Sequence, residues 1–413
     1  MRHTAAKNSD SEWARDQEFT ELNAIGDKLQ SRISYFWKEP NTRKAFRTGV
    51  SLHSHTNHSR ESLSFISVLA DRSAFLGWYL EHHKQKASRR AVSVSIDLFR
   101  ACWTPPLTPR EAYNVERKQI EDVLGLEAQV SLTDHDNIQA ATLLRVVPNF
   151  GPVPISVEWT VPFEEGHFHL GVHNLPEGRA AAIMADLSAL TVHREHNRLP
   201  EMFRYLNELE GVLIVLNHPK WNIALLEHSR FNYLLTDFLS RYSAFIHAFE
   251  LNGLRSWNEN QETARLASGW NQLVISGGDR HGCEPNGNLN LTNSGSFDEF
   301  VHEIRVRRTS HIMFMPQYAD PIPMRFFQTF LDVVGEYPDM PEGARNWDNR
   351  TFHPDINGVL SPVSTQWIEP PHFIQSVLWL ARKLQSGVAP HLWRKFARNE
   401  EFRLRLSDGE SNV

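Results

Sequence analysis

Cysteine is nearly absent from this chain: Cys102 and Cys283 are the only two. They cannot build a disulfide framework, which points to a reducing compartment, and the expectation is a cytoplasmic protein. No stretch approaches the roughly 20 apolar residues that span a bilayer, so no membrane partner is expected. Met1-Arg2-His3-Thr4 runs into polar residues rather than the apolar core of a secretory signal. A basic excess is also missing: the formal charge of −6 gives no general pull towards nucleic acid or anionic membrane. There is no repeat at a fixed period.

What the chain does have is 413 residues, 41% of them hydrophobic and 22% charged, a composition that supports a sizeable core. Residues 1–45 read as a polar tail and an entry helix, Glu18–Trp37, with Leu22, Ile25, Leu29, Ile33 and Phe36 at helical spacing. From about 46 to 315, apolar strands alternate with helices, which argues for an α/β architecture with a mostly parallel sheet or barrel. A helical insertion, about 61–109, is expected to carry Phe65–Leu80 and Val92–Trp103. Thr108-Pro109 then starts a helix that Gly125 ends. Residues 316–413 change character, with helices at Met324–Val334 and Phe373–Leu384 around a loop rich in Pro, Asn and Asp. They read as a helical extension packed on the main domain or as a dimerisation surface, which leaves a homo-oligomer open.

Histidine is plentiful, with 21 copies, and its placement is not random. His53 and His55 close the strand Phe46–Leu52, and residues two apart in a strand share a face. Asp134 and His135 follow Gln129–Thr133, His218 follows the apolar run Gly211–Leu216, and Asp279 and His281 follow Gln272–Ser276. In parallel β/α folds those strand ends converge on the face where active sites sit. Glu158, and the pair His167 and His169, lie inside or at the start of strands near the same edge. Imidazole mixed with carboxylate suits Zn, Mn or Fe, whereas Mg and Ca prefer nearly all-oxygen shells. More than six candidate ligands exceed the needs of one ion.

The ordered series His53-Ser-His55-Thr, Thr133-Asp134-His135-Asp136, Glu158, Gly166-His167-Phe168-His169, Asn217-His218-Pro219 and Gly278-Asp279-Arg280-His281 resembles the motifs of the PHP (polymerase and histidinol phosphatase) family. The resemblance covers roughly residues 46–315. It implies a distorted barrel of seven β/α units, (β/α)7, carrying two or three divalent ions that hydrolyse a phosphate ester. It further implies that His53, His55 and Asp279 hold one ion. Glu158 bridges to a second ion held by His218 and by His167 or His169, with the Gly-His-Phe context favouring His167. His135 and His281 hold a third. Glu158, Asp279 and His281 carry the chemistry.

Two departures qualify the match. Family members that cleave nucleotides and oligonucleotides commonly carry Asp five residues after the second His of the first motif. Here that position is Arg60, and the neighbouring Glu61 is the substitute ligand. The insertion after the first motif is long enough to roof the site. Arg60, Lys220 and Arg280 are the cations available for substrate phosphate, and His58 is a candidate acid for the leaving group. The expected substrate is a small phosphorylated molecule; an oligonucleotide end presents the same group, but the acidic balance disfavours it. Asp134 is expected to cap the next helix or orient His135, and Cys283 to fill space.

Two rival readings stand beside this one. An amidohydrolase also opens with His-x-His, but usually bridges its ions with a carbamylated lysine where this chain has Glu158. A non-catalytic module with a decayed site is kept alive by Arg60.

Overall fold

The computed structural model describes residues 31–63, 97, 99–148, 150–366, 375 and 378–379. The expected helix Phe65–Leu80, half of Val92–Trp103, and most of Glu18–Trp37 and Phe373–Leu384 lie outside them. The chain divides into two compact units. The first is Met1–His55, Pro109–Arg280 and Glu284–Ala319; the second is Thr56–Thr108, His281–Cys283 and Asp320–Val413.

The first unit is built on two five-stranded sheets. One comprises β1 (Ser31–Tyr35), β2 (Thr48–Ser51), β5 (Glu127–Val130), β11 (Asn288–Thr292) and β12 (Ser310–Phe314), in the order β1-β12-β11-β2-β5. β1 corrects the entry helix at its C-terminal end: Ser31–Tyr35 runs parallel to β12 with Ile33 opposite Ile312. Ile33 and Tyr35 are types that pack well on a pleated surface, and the ladder to β12 decides the matter over helical spacing. β11 lies antiparallel to both β2 and β12. Its alternation of Asn288 and Asn290 with Leu289 and Leu291 looks polar, yet all four are buried. Each amide finds a buried partner, Asn288 Nδ2 donating to the Leu251 carbonyl at 2.6 Å and Asn290 Nδ2 to Ser276 Oγ at 2.5 Å, although Asn288 Oδ1 makes no hydrogen bond; those bonds lower the cost of placing them in a core.

The other sheet holds β6 (Val157–Phe163), β7 (Gly166–His173), β8 (Leu213–Leu216), β9 (Ala248–Asn252) and β10 (Leu273–Gly277), in the order β10-β9-β8-β7-β6. β8, β9 and β10 are parallel, but β7 is antiparallel to both β6 and β8. The mostly parallel expectation gives way here because β6 and β7 are joined through Glu164-Glu165, and so short a connection can make only a hairpin. A core of Val50, Leu52, Val215, Ala248, Ile275, Phe300 and Ile304 among others spans the two sheets. A second aromatic layer backs β6 and β7, where Trp159 lies 5.9 Å from Phe203 and Phe163 5.3 Å from Phe238, ring to ring.

At the ends where the histidines cluster, the sheets are tied by two single parallel bridges, Ser54 with Arg280 and His135 with Glu158. Among the described residues the ladders do not close into a continuous barrel. Helix Pro109–Lys118 continues as a wider turn over Gln119–Leu124 and is stopped, as expected, by Gly125 in a left-handed conformation (φ 67°).

The second unit carries a four-stranded antiparallel sheet of β3 (Glu61–Ser62), β4 (Cys102–Trp103), β13 (Thr351–Pro354) and β14 (Leu360–Pro362), in the order β14-β13-β4-β3, and the helix Ile322–Val334. Cys102–Trp103, expected at a helix end, is a strand because both residues pair with Thr351–Phe352 on one side and Glu61–Ser62 on the other. No described helix is long and apolar enough to cross a membrane.

Candidate metal centre

β2 ends at Ser51, and the next turn of chain carries His53, a left-handed residue at φ 62°. That bend leaves both imidazoles facing the same carboxylates. His53 Nε2 lies 3.0 Å from Glu158 Oε2 and 3.5 Å from Asp279 Oδ1. His55 Nε2 lies 3.3 and 3.4 Å from the same two oxygens. Glu158 projects from β6 at the centre. Its Oε2 also faces His135 Nδ1 at 3.2 Å, while its Oε1 faces His169 Nδ1 at 3.3 Å and His218 Nε2 at 3.1 Å. Among the described residues of the first unit, three overlapping groups result, each with ligand atoms within 4.8 Å of one another: His53, Glu158 and His218; His53, His55 and Asp279; and His135, Glu158 and His169.

Burial and orphaned atoms show whether a cation fits. His53, His55, Glu158 and Asp279 are buried. His53 Nε2, Glu158 Oε2 and His169 Nδ1 are sealed from solvent and make no hydrogen bond. Polar atoms that converge at about 3 Å with no hydrogen bond among them are costly to bury unless a cation sits between them, so the donor set fits divalent cations. The charges agree with that arrangement. Burial works against ionisation of Glu158, but the surrounding His53, His135 and His169 outweigh it and hold its carboxyl well below the usual range. Burial likewise opposes charge on His53, yet Glu158, Glu250 and Asp279 together raise its pKa well above normal. Burial pushes His169 down to about 3.

Between the two histidines of β7, the structure brings His169 to Glu158 and leaves His167 out of all three groups, the reverse of the sequence preference. His167 is half-buried, its ring centre 5.5 Å from that of His169. Within the first unit, His135 stands with Glu158 and His169. His281 and Glu61 belong to the second unit, where His281 Nε2 lies 3.2 Å from Glu61 Oε2; Arg60 there is exposed.

Arg280, a candidate substrate contact, is buried, with Nε donating to Glu116 Oε1 at 3.1 Å and a terminal nitrogen donating to the His55 carbonyl at 3.0 Å. Lys220 is half-buried, with Nζ 3.4 Å from Asn232 Oδ1 and 3.9 Å from Glu262. Asp134 is buried, but the helix Gln139–Arg145 takes its first-turn bond from Asn137 Oδ1, which accepts from the Gln139 amide at 2.8 Å. Cys283 lies in the second unit with Sγ 3.1 Å from the Tyr337 hydroxyl.

Sequence reasoning missed the groups behind the ligands. Glu250, Asn252, Asn217 and Glu116 are all buried and polar. Asn217 Nδ2 donates to Glu158 Oε1 at 3.0 Å, and Glu250 Oε1 lies 2.5 Å from His53 Nδ1. The available signal was a Glu and an Asn flanking Leu251 inside an otherwise apolar strand.

No family model matches the chain, and no curated protein does. Among solved structures it is similar to an amidohydrolase from Chromobacterium violaceum with sulfate bound and no metal, at 18% identity over 43% of this chain and 84% of that one, TM-score 0.31. It is also similar to a protein described as a metal-dependent phosphoesterase from Bifidobacterium adolescentis, at 18% identity over 50% and 92%, TM-score 0.28. A third, PsfC from Pseudomonas syringae, matches at 15% identity over 53% and 88%, TM-score 0.34. These likenesses are distant, and function has to be argued from the site.

Proposed function

We propose that the chain is a metal-dependent phosphoesterase that hydrolyses a small phosphorylated molecule with the help of at least two divalent ions. The observation that carries the reading is Glu158: one sealed carboxylate faced by five imidazoles, two of them shared with Asp279. In this reading His53, His55 and Asp279 form one pole, His169, His218 and His135 the other, and Glu158 spans them. The order of the motifs along the chain supports a phosphoesterase over an amidohydrolase, as does a carboxylate rather than a lysine at the bridging position. The strand sequence β2, β5, β6, β7, β8, β9, β10, joined at two seams by single bridges, supports a distorted, open form of a seven-stranded barrel.

Divalent ions held there would supply Lewis acidity, polarising a phosphoryl oxygen and acidifying water. The protein's own part is to keep the poles apart and correctly protonated. Asn217 Nδ2 donates to Glu158 Oε1 and so fixes the rotation of the carboxylate. Burial favours the neutral form of His169. Lys220, two residues after His218, is the cation proposed to meet the substrate phosphate.

Elemental analysis of the purified chain, paired with hydrolysis of p-nitrophenyl phosphate and its diester in Mn, tests the reading. Two or more ions per chain with turnover of either ester is the expected result. Absence of both, even after Mn is added, would sink it.

A further inference from the structure

Three candidate ligand residues, His53 (φ 62°), His218 (φ 28°) and Asp279 (φ 56°), have left-handed backbones without being glycine. Such conformations persist only where the surroundings enforce them. The same two side chains of β9 reach all three. Glu250 Oε1 lies 2.5 Å from His53 Nδ1, and Glu250 Oε2 accepts the His218 backbone N–H at 2.8 Å. Asn252 Nδ2 donates both to Glu250 Oε2, at 2.9 Å, and to Asp279 Oδ2, at 3.2 Å. Asn252 is itself held by Asn260, whose Oδ1 accepts the Asn252 N–H at 2.8 Å and whose Nδ2 donates to the Asn252 carbonyl at 3.0 Å.

Space has been cleared for Glu250 and for the neighbouring Asn286. A methyl group on Gly277 would run into the Glu250 carboxylate, and one on Gly278 into the Asn286 side chain, which in turn bonds the Leu52 carbonyl and Ser54. Glu250 is 1% exposed, so its charge has no role in meeting solvent.

We infer that Glu250 and Asn252 are positioning residues: one buried Glu-Leu-Asn segment sets the tautomer of His53 and the aim of His53, His218 and Asp279 together. The inference rests on the metal-centre reading above. With the Nδ1 proton of His53 donated to Glu250, Nε2 presents its lone pair to Glu158 and Asp279. With Oδ2 of Asp279 taken by Asn252, Oδ1 is the oxygen turned to His53 and His55. Carboxylates and amides placed behind ligands in this way typically govern metal affinity by about 10–100-fold.

Cobalt(II) titration of the metal-stripped full chain tests the assignment, read as affinity and as the visible ligand-field spectrum. Glu250→Gln and Asn252→Ala are each expected to weaken the tightest cobalt by about 10-fold or more. They should also shift the ligand-field band while leaving the far-UV circular dichroism unchanged. In a His53→Ala background, the Glu250→Gln penalty should shrink, since groups acting through one another are not additive. Cobalt bound with wild-type affinity and spectrum in both variants would overturn the inference. Should Glu250→Gln fail to fold, Asn252→Ala decides by the same criterion. A wild-type chain that takes up no cobalt at all would overturn the metal reading itself, and this inference with it.

Discussion

Glu158 Oε2 and His53 Nε2 face each other at 3.0 Å, deep in the first unit, with no hydrogen bond between them. Replacing the carboxylate by its amide keeps the shape and removes the charge. Glu158→Gln is therefore expected to lower metal affinity by at least about 100-fold, the upper end of what even outlying partners of ligands cost, with loss of hydrolysis and an intact circular dichroism spectrum. Retained metal content in the variant would count against the bridge.

Glu116 and Arg280 form a sealed ion pair at 3.1 Å, and the arginine also supports the His55 carbonyl. Removing one partner of such a pair strands the other, at a cost of about 3–5 kcal/mol. Arg280→Met should show this as a large drop in the urea midpoint. An unchanged midpoint with a raised KM would instead support Arg280 as a substrate contact.

Gly277 carries its own constraint. Alanine there collides with Glu250, and overpacking a tight interior costs about 1–3 kcal/mol. Gly277→Ala should melt earlier than wild type, whereas Gly178→Ala, with open space around it, should not. Equal melting temperatures would mean that Glu250 readily moves aside.

The acid limb of stability has an identifiable contributor outside the metal centre. His247 Nδ1 accepts the Ile214 amide at 2.9 Å, and burial holds its pKa at about 3. The unfolded histidine titrates near 6.5, so below that pH the unfolded chain takes a proton that the folded chain refuses. The contribution is full above pH about 6.5 and is lost as pH falls towards 3, at no more than about 1.4 kcal/mol per pH unit. Metal-stripped His247→Gln should lose less melting temperature than wild type between pH 7 and pH 5; parallel losses would refute the assignment.

Lys220 offers a separate reading of substrate binding. If Nζ meets the phosphate, Lys220→Ala should raise KM roughly 10-fold, the cost of about 1.4 kcal/mol of binding, with kcat little changed. A fall in kcat at constant KM would place the residue elsewhere.

The residues around Glu158 were legible because imidazoles and carboxylates sat just beyond apolar runs, a position the two sheets turn into one edge. Glu250 and Asn252 were not, because a lone Glu beside Leu251 in a strand gives no hint that Gly277 has left room for it. β11 escaped notice since Asn288 and Asn290 resemble loop residues until their amide partners are known. Ser31–Tyr35 reads as helix in the sequence because helical spacing is satisfied locally, while its partner β12 is far away in sequence. His169 and His167 share a face of β7, and only the register of that strand against β6 brings one of them to Glu158.

The two sheets of the first unit touch at their histidine-bearing ends through single bridges, and every one of the three ligand groups draws members from both sheets. Occupancy of the centre would thus act as a clasp. The backbone amides near Ser54 and His135 should exchange with deuterium faster once a chelator has stripped the chain, and the same treatment should expose those seams to proteases. Metal supply would then govern the lifetime of the protein.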